Sequence, residues 1–440
     1  IARPLHLHRI HGRTMTATAK AMGAELTGRM RRLNPQFYDD RRFRRRLRAL
    51  RSSATATLGH SRLLAAAGVR DDPRPGLLVV VDGLYAGGAH TLLADILDGL
   101  MTHWRPVIVT VSAGPHPLAE RFAALTAEIF HLDGFLERAD CAAFVDHLVH
   151  TRRVTTAFSS DCLWWLESLP HVRRAHPTLR TIDLVHSHVP TRSWRATVAM
   201  APHLDAVVAV SLRAAEALRS AGVAPGLVRR IPNGVDLARF LPRPDRQSLT
   251  RAELGVPGDA LLLMWVGRLS PEKRPQLFVD IVRQVSQSMP VQGLMVGDGP
   301  LASDLDAAIA RLPVSVRVVR RPRLSRDALA PVYAAADFLI LTSSSEGCPL
   351  VVLEALACGC PVAATDVGDV GQIVRDGRNG VLAPTDATQA LAERVAQVAL
   401  HREAHASMRT EAVASMRGTA FELSRMHEAY GALLSELSTR

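Results

Sequence analysis

The sequence lacks both a membrane-spanning segment and a disulfide framework. No stretch of its 440 residues approaches the about 18 uncharged apolar residues that a transmembrane helix needs. The five cysteines are odd in number and show no paired Cys-x-x-Cys spacing, which argues against a disulfide scaffold or a zinc site. The amino terminus shows no signal-peptide pattern. These absences favour reduced thiols in a cytoplasmic protein.

The charge of the chain is uneven. The formal net charge is +11. The segment Arg29–Arg51 contributes much of the excess, with ten arginines against Asp39 and Asp40. No nucleic-acid reader motif or aromatic interleaving accompanies this run, so nucleic acid is not the expected partner. The alternatives are a solvated helical face or peripheral contact with the anionic inner surface of a membrane.

Composition and periodicity predict an α/β protein. The hydrophobic content is 48% and the mean hydropathy is +0.08, which suits buried parallel strands. Apolar runs that alternate with helical segments predict seven strands between residues 76 and 231, and six more between 261 and 383. Such alternation is typical of doubly wound sheets, whose sites lie beyond the carboxyl ends of the strands.

Breaks in these patterns predict the domain limits. Residues 1–70 have the composition of an arginine-rich helical appendage, and residues 71–243 form a first α/β domain. Residues 244–418 form a second α/β domain, and a terminal helix occupies 419–440. The segment 240–250, rich in proline and charge, is the expected linker between the α/β domains.

The stretch Phe338–Val381 carries the most informative pattern. It predicts a strand, a polar turn that ends in Glu346-Gly347, a helix, and a second strand. Pro349 suits a first helical position, and Gly359 suits a left-handed residue just past the helix end. The free N–H groups of such a helix favour phosphate. Glu354, eight residues after Glu346, is suited to accept hydrogen bonds from sugar hydroxyls.

A basic loop follows the first strand of the second domain. It reads Gly267-Arg-Leu-Ser-Pro-Glu-Lys-Arg274. Two cations opposite an anion-accepting helix end could neutralise a departing diphosphate, Arg268 through its planar fork and Lys273 as a point charge. By contrast, Asp304-Leu-Asp306 lies at helical spacing among apolar residues, so these carboxylates are interpreted as surface groups and not as a metal site.

The spacing Glu-x7-Glu, followed by Ala-x-Ala-x-Gly-x-Pro-Val, resembles the nucleotide-sugar motif of retaining glycosyltransferase family 4. The basic loop, Gly297-Asp-Gly-Pro300 and Ile231-Pro-Asn-Gly-Val-Asp236 are further similarities. In the last of these segments the Asn-Gly pair accepts positive φ, and Asp236 can brace the turn. The resemblance implies a GT-B fold, in which two Rossmann-like doubly wound domains face a cleft. It also implies that the terminal helix returns to the first domain.

The resemblance further implies roles for individual residues. Catalytic roles fall to Arg268, Lys273, Glu346 and His186, and acceptor binding falls to Ser159, Ser160 and His188. Glu354 would hold the ribose and Glu346 the donor sugar. The expected donor-binding residues are Gly87, Gly88, Gly267, Arg268, Lys273, Gly297, Gly299, Arg321, Glu346, Gly347, Cys348, Pro349, Leu350 and Glu354.

Two positions depart from the family pattern. Ser159-Ser160 stands where many members carry a histidine, which leaves the catalytic histidine open. Arg320-Arg321-Pro322-Arg323 replaces a glycine-containing loop near the nucleotide base, which leaves the base open.

The resulting hypothesis is a retaining, metal-independent hexosyltransferase that needs no cofactor. It would move a sugar from a nucleotide-diphospho-sugar, with UDP favoured over GDP, to a hydroxyl acceptor. A cell-surface glycan or lipid-linked precursor is the first acceptor considered, and a soluble small molecule is the second. A nucleotide-sugar epimerase of GT-B architecture and a non-catalytic nucleotide-sugar-binding module are the rival functions.

Overall fold

The computed structural model describes residues 72–134, 136 and 138–439. The predicted appendage at 1–70, including the arginine-rich segment Arg29–Arg51, lies outside these residues. Within the part of the chain that is described, every helix is too short or too polar to cross a bilayer.

The first sheet has seven strands in the order β3-β2-β1-β4-β5-β6-β7. Each segment predicted as a strand in this half is a strand, with ends shifted by up to two residues. Continuous apolar runs form the central strands, as in β1, where every residue is buried. The strands are β1 Gly76–Val81, β2 Arg105–Thr110, β3 Ile129–His131, β4 Val154–Ser160, β5 Arg180–Val185, β6 Ala206–Ala209 and β7 Val228–Arg230.

The second sheet has six strands in the order β10-β9-β8-β11-β12-β13, and its paired strands are parallel. The chain runs from β8 outward to β10, then returns to the other side of β8 to place β11. The switch point of this sheet therefore lies between β8 and β11, where ligands bind in open α/β sheets. The strands are β8 Leu261–Val266, β9 Val291–Val296, β10 Arg317–Arg321, β11 Phe338–Leu341, β12 Val362–Thr365 and β13 Gly380–Ala383.

Helices connect the strands. After the last strand, one helix ends at Leu400 and a separate helix begins at Arg402. The helices are α1 Gly88–Leu100, α2 Ala119–Ala123, α3 Cys141–Thr151, α4 Leu163–Ala175, α5 Arg192–Met200, α6 Leu212–Ser220, α7 Gln247–Glu253, α8 Pro275–Val285, α9 Ala302–Ala310, α10 Arg326–Ala335, α11 Leu350–Ala357, α12 Val370–Ile373, α13 Thr388–Leu400, α14 Arg402–Ala414 and α15 Leu423–Ser438.

The core of the second sheet shows why its helices pack so closely. Helix α8 buries Phe278, Ile281, Val282 and Val285 at the spacing of one helical face. Gly293 of β9 lies beneath this face. A Cβ at Gly293 would lie 2.9 Å from Cγ2 of Val282, so the absence of a side chain permits the close contact between helix and strand.

The chain falls into two compact units. Among the described residues, one unit is formed by those up to Ala86 together with Leu100–Thr181, and the other by Gly87–Gly99 together with those from Ile182. Helix α1 thus belongs to the same unit as the second sheet. The domain limits at 71–243, 244–418 and 419–440 stay predictions.

The turn Asn233–Asp236 differs from expectation in one respect. Asp236 braces it as predicted, because its Oδ1 accepts hydrogen bonds from the backbone N–H groups of Ala238 and Arg239. The positive φ expected of the Asn-Gly pair is absent at both residues. Gly234 serves close approach instead, since a Cβ there would lie 2.7 Å from Cα of Leu423, the first residue of α15.

Gly380 provides a test of the pairing between strands β12 and β13. A Cβ at Gly380 would lie 2.1 Å from the carbonyl oxygen of Val362 on the neighbouring strand β12. We expect Gly380→Ala to lower the free energy of unfolding by roughly 1–3 kcal/mol, because the backbone must shift. Urea denaturation measures the change.

The matched control is Gly258→Ala. Gly258 is exposed, and a Cβ built there meets no described atom within 4 Å. This variant should unfold within about 0.5 kcal/mol of the unaltered protein. Equal stabilities for the two variants would contradict the strand pairing.

Candidate active site

The loops that follow β8 and β11 are joined by hydrogen bonds from side chains to backbone carbonyls. Arg274 adopts the left-handed conformation with φ 46° and ψ 52°. Its guanidinium donates from Nε to the carbonyl of Thr342 at 2.7 Å, and from Nη2 to that of Ser343 at 3.1 Å. Thr342 Oγ1 donates in return to the carbonyl of Lys273 at 2.8 Å. The two strand ends of the switch point are thereby held in contact.

This contact brings the basic loop onto the acidic turn. Lys273 Nζ donates to Oε1 of Glu346 at 2.6 Å, and Ser343 Oγ donates to the same oxygen at 2.6 Å. The side chain of Glu346 is 8% exposed and that of Lys273 is 28% exposed. The pair is therefore a charge-assisted hydrogen bond with one open side.

Helix α11 begins beside this pair. Pro349 precedes the helix and Leu350 is its first residue, so the proline stands one position earlier than expected. The proline ring offers no capping acceptor, which leaves the first N–H groups of the helix without a capping side chain. Gly359 adopts the predicted left-handed conformation, with φ 73°, just past the helix end.

Glycines allow the acidic turn to meet two neighbouring segments. A Cβ at Gly347 would lie 2.0 Å from the carbonyl oxygen of His186, so the residue after β5 touches the turn. Gly368, with φ 55°, lies under the turn, and a Cβ there would be 1.8 Å from the carbonyl oxygen of Glu346. Both segments approach too closely for any larger residue.

The loops after β8 and β9 are similarly close. Gly297 has φ 150°, and a Cβ there would lie 1.8 Å from the carbonyl oxygen of Gly267. A Cβ at Gly299 would lie 2.5 Å from that of Leu269. The N–H of Gly297 also donates to the carbonyl of Arg321 at 3.1 Å. The predicted glycines at 267, 297 and 299 thus form one layer beside the basic loop.

The arginines at this edge divide by their partners. Arg268 and Arg321 are exposed. Arg320 forms a fork with Asp306, with both N–O distances 2.7 Å. The pKa of the Asp306 carboxyl is lowered by this hydrogen bond. Asp306 is therefore a surface carboxylate, as the sequence predicted.

The residues predicted to bind the acceptor lie at or after the ends of strands of the first sheet. Ser159 and Ser160 end β4 and are buried, and Cys162 beyond them donates to Oδ1 of Asp82 at 3.5 Å. His188 is half-buried, and its Nδ1 has no hydrogen-bond partner among the described residues.

The glycine pair lies at the start of α1, with Gly88 as the first residue of the helix. Gly87 and Gly88 are exposed, and no described atom lies within 4 Å of a Cβ built on either. The carbonyl of Gly87 accepts a hydrogen bond from the N–H of Thr91 at 3.0 Å.

Glu354, which the sequence predicts to bind the ribose, is buried and already accepts two hydrogen bonds from the protein. Its side chain is 5% exposed. Oε1 accepts from Nε of Arg326 at 3.0 Å, and Oε2 accepts from the hydroxyl of Tyr333 at 3.2 Å. Burial raises the pKa of the Glu354 carboxyl, and Arg326 and Tyr333 oppose that effect.

Three residues that sequence reasoning missed hold this site together. Asp95 of α1 pairs with Nη1 of Arg326 at 2.8 Å, and Asp369 accepts from the backbone N–H groups of Leu212 and Arg213 at the start of α6. Arg326 had only one sequence signal, the helix cap Ser325 before it, which gives no partner. The carboxylates at 95 and 369 lie far along the chain from their partners.

Two further kinds of side chain bear on the chemistry of the site, namely metal ligands and cysteine thiols. Within the described ranges, no group of three or more His, Cys, Asp or Glu side chains is placed to hold a metal ion. Burial raises the pKa of the Cys348 thiol to about 12, so this predicted donor-site residue is neutral near pH 7.

Comparison with known proteins gives matches along both halves of the chain. A family model described as Glycosyltransferase Family 4 matches residues 86–239, and one described as Glycosyl transferases group 1 matches residues 260–401. A D-inositol 3-phosphate glycosyltransferase of Saccharomonospora viridis is 34% identical over 323 residues, which cover 67% of this chain and 71% of the relative. A protein of the same name from Mycobacteroides abscessus is 32% identical over 58% of this chain and 54% of the relative.

Solved structures share the architecture. Anabaena HepE in complex with UDP superposes with a TM-score of 0.71 at 22% identity, over 82% of this chain and all of that one. Sucrose-phosphate synthase from Thermosynechococcus elongatus gives a TM-score of 0.67 at 20% identity, over 83% of this chain and all of that one. The two parallel sheets, the matched motifs and these similarities agree: the chain is a glycosyltransferase of the GT-B type and belongs to glycosyltransferase family 4.

Proposed function

We propose that the chain is a retaining glycosyltransferase that moves a sugar from a UDP-sugar to a hydroxyl group of a small phosphorylated polyol. The observation that carries the proposal is the contact of Lys273 with Glu346 beside the first turn of α11. In this contact a cation and a carboxylate lie together beside a helix start that has no capping side chain, at the switch point of the second sheet.

These groups suit the difficult part of the reaction, which is the departure of a diphosphate. An ammonium group has three donors, and the contact with Glu346 uses one of them. Lys273, the exposed Arg268 and the start of α11 would stabilise the negative charge that develops on the leaving group. Each preorganised donor of this kind lowers the barrier by roughly 3–4 kcal/mol.

The proposed transfer takes place on one face of the donor sugar. The bond from the anomeric carbon to the diphosphate oxygen breaks, and a bond to the acceptor oxygen forms on the same face. The acceptor hydroxyl proton passes to the departing oxygen. Glu346, already engaged by a lysine and a serine hydroxyl, is better placed to hold the donor sugar than to attack it.

The names of the relatives support one of the acceptor classes considered from the sequence. The relatives from Saccharomonospora viridis and Mycobacteroides abscessus are named for inositol 3-phosphate, which is a small phosphorylated polyol. The solved structure named as a lipopolysaccharide outer core galactosyltransferase is 15% identical, a likeness that supports the fold alone. A small phosphorylated polyol therefore replaces the glycan precursor as the leading acceptor.

Lys273 gives the first test. It is one of two lysines in the chain, with Lys20, against 51 arginines. We expect Lys273→Met to lower sugar transfer at least about tenfold, or ~1.4 kcal/mol, because the leaving group loses a cation. Initial rates of UDP release measure the change.

The control and a second readout use the same chemistry. Arg283→Met removes an exposed cation of α8 whose partner is Asp280, and transfer should be unchanged. UDP should also slow acylation of Lys273 without altering the rate at Lys20, as followed by peptide mass spectrometry. Equal acylation of Lys273 with and without UDP would remove it from the donor site.

The stereochemical outcome is a separate test. A same-face transfer predicts that the product keeps the anomeric configuration of the donor, which the one-bond carbon–proton coupling in its NMR spectrum reports. An inverted linkage would reject the mechanism.

The acceptor is tested with a panel of UDP- and GDP-sugars offered with inositol 3-phosphate, free inositol or a polyprenyl-phosphate-linked sugar. The proposal expects transfer from a UDP-sugar to the phosphorylated polyol, and less to free inositol. Consumption of donor with no acceptor, giving an isomeric sugar, would indicate an epimerase instead. Binding of donor with neither hydrolysis nor transfer under any condition would indicate a non-catalytic module.

A further inference from the structure

One buried guanidinium joins two carboxylates that lie on different helices. Arg326, the first residue of α10, is 12% exposed at its side chain. Its Nε donates to Glu354 at 3.0 Å, and its Nη1 donates to both oxygens of Asp95 at 3.1 and 2.8 Å. Its Cζ lies 5.0 Å from the ring centroid of Phe240, which covers one face of the cation.

The two carboxylates belong to the elements predicted to bind the donor. Asp95 lies on α1, which begins at the glycine pair Gly87-Gly88. Glu354 lies on α11, which begins after the acidic turn. Both carboxylates are buried, so each depends on a partner for its charge. Arg326 is a partner to both.

The contacts leave Glu354 able to accept more. A carboxylate has about four acceptor positions, and Arg326 and Tyr333 use two of them. The side chain cannot rotate without breaking these bonds. A planar fork also fixes orientation in a way that a point charge does not. The remaining acceptor positions therefore have a fixed direction.

We propose that Arg326 is a positioning residue for the nucleotide: it orients Glu354 toward the ribose hydroxyls and ties α1 to that carboxylate through Asp95. The inference rests on the proposed function, since it assumes that a nucleotide-sugar binds beside α11. It assigns a role to a residue outside the two motifs that identify the family.

The charges around Glu354 make opposite predictions for two variants. Arg326 and the Tyr333 hydroxyl lower the pKa of Glu354, whereas burial and the nearby Asp95 raise it. The buried thiol of Cys358 also faces Glu354, and burial raises the pKa of that thiol, so it is neutral in the range tested. Removing Arg326 should raise the pKa of Glu354 further, and removing the charge of Asp95 should lower it.

The experiment measures UDP affinity by calorimetry as a function of pH for the unaltered protein, Arg326→Gln and Asp95→Asn. Ionised Glu354 accepts the ribose hydroxyls, so affinity falls as pH drops through its pKa. We expect this fall to move to higher pH in Arg326→Gln and to lower pH in Asp95→Asn. At the pH optimum, Arg326→Gln should weaken UDP binding at least tenfold.

Arg326→Lys is the conservative variant. It keeps the charge, so the fall should stay near its original pH, but the weaker geometry should still lower the affinity. Urea denaturation of each variant shows whether the protein is folded. If Arg326→Gln does not fold, Asp95→Asn and Arg326→Lys still decide the matter.

The outcomes separate the inference from the proposed function. UDP binding by the unaltered protein, with both variants shifting the fall in the same direction or not at all, would overturn the positioning role alone. Failure of the unaltered protein to bind UDP would overturn the proposed function and, with it, this inference.

Discussion

The contact between the loops after β8 and β11 is the constraint on which the site depends. These strands are neighbours in the sheet but are separated in the chain by two other strands, so their ends meet only if the sheet forms in its doubly wound order. Arg274 fastens the contact by donating to two carbonyls at the end of β11. Beside this contact, Lys273 is 28% exposed and is paired with the buried Glu346.

The two glutamates near α11, Glu346 before the helix and Glu354 within it, have different partners. At its start, Glu346 has a partly exposed lysine as partner, and a lysine is a flexible point charge that can turn to a new anion. Within the helix, Glu354 has a buried arginine and a tyrosine, which fix its geometry. The first pair is suited to exchange a partner during a reaction, and the second is suited to keep one.

Glycines allow the loops of the site to lie close together. At positions 267, 297, 299, 347 and 368 the backbone of one loop lies so close to another that a Cβ would overlap it, or is itself the atom overlapped. The glycines of these motifs therefore permit close packing between the loops. Gly234 likewise lies close to the terminal helix, and it does not adopt the positive φ expected from the sequence.

The sequence by itself determined much of the architecture, because strands, helices and their caps depend on residues that are neighbours in the chain. Apolar runs located all thirteen strands that the structure describes. The spacing of Glu346, Glu354, Arg268 and Lys273 was enough to indicate the family. Only the tertiary structure decided the partners of the charges. Asp95, Arg326 and Glu354 are brought together by helix packing across more than two hundred residues, and no local pattern records such a pairing. A carboxylate whose type and spacing favoured ribose binding is also a buried ion-pair partner, because burial and neighbours are properties of the fold and not of the segment.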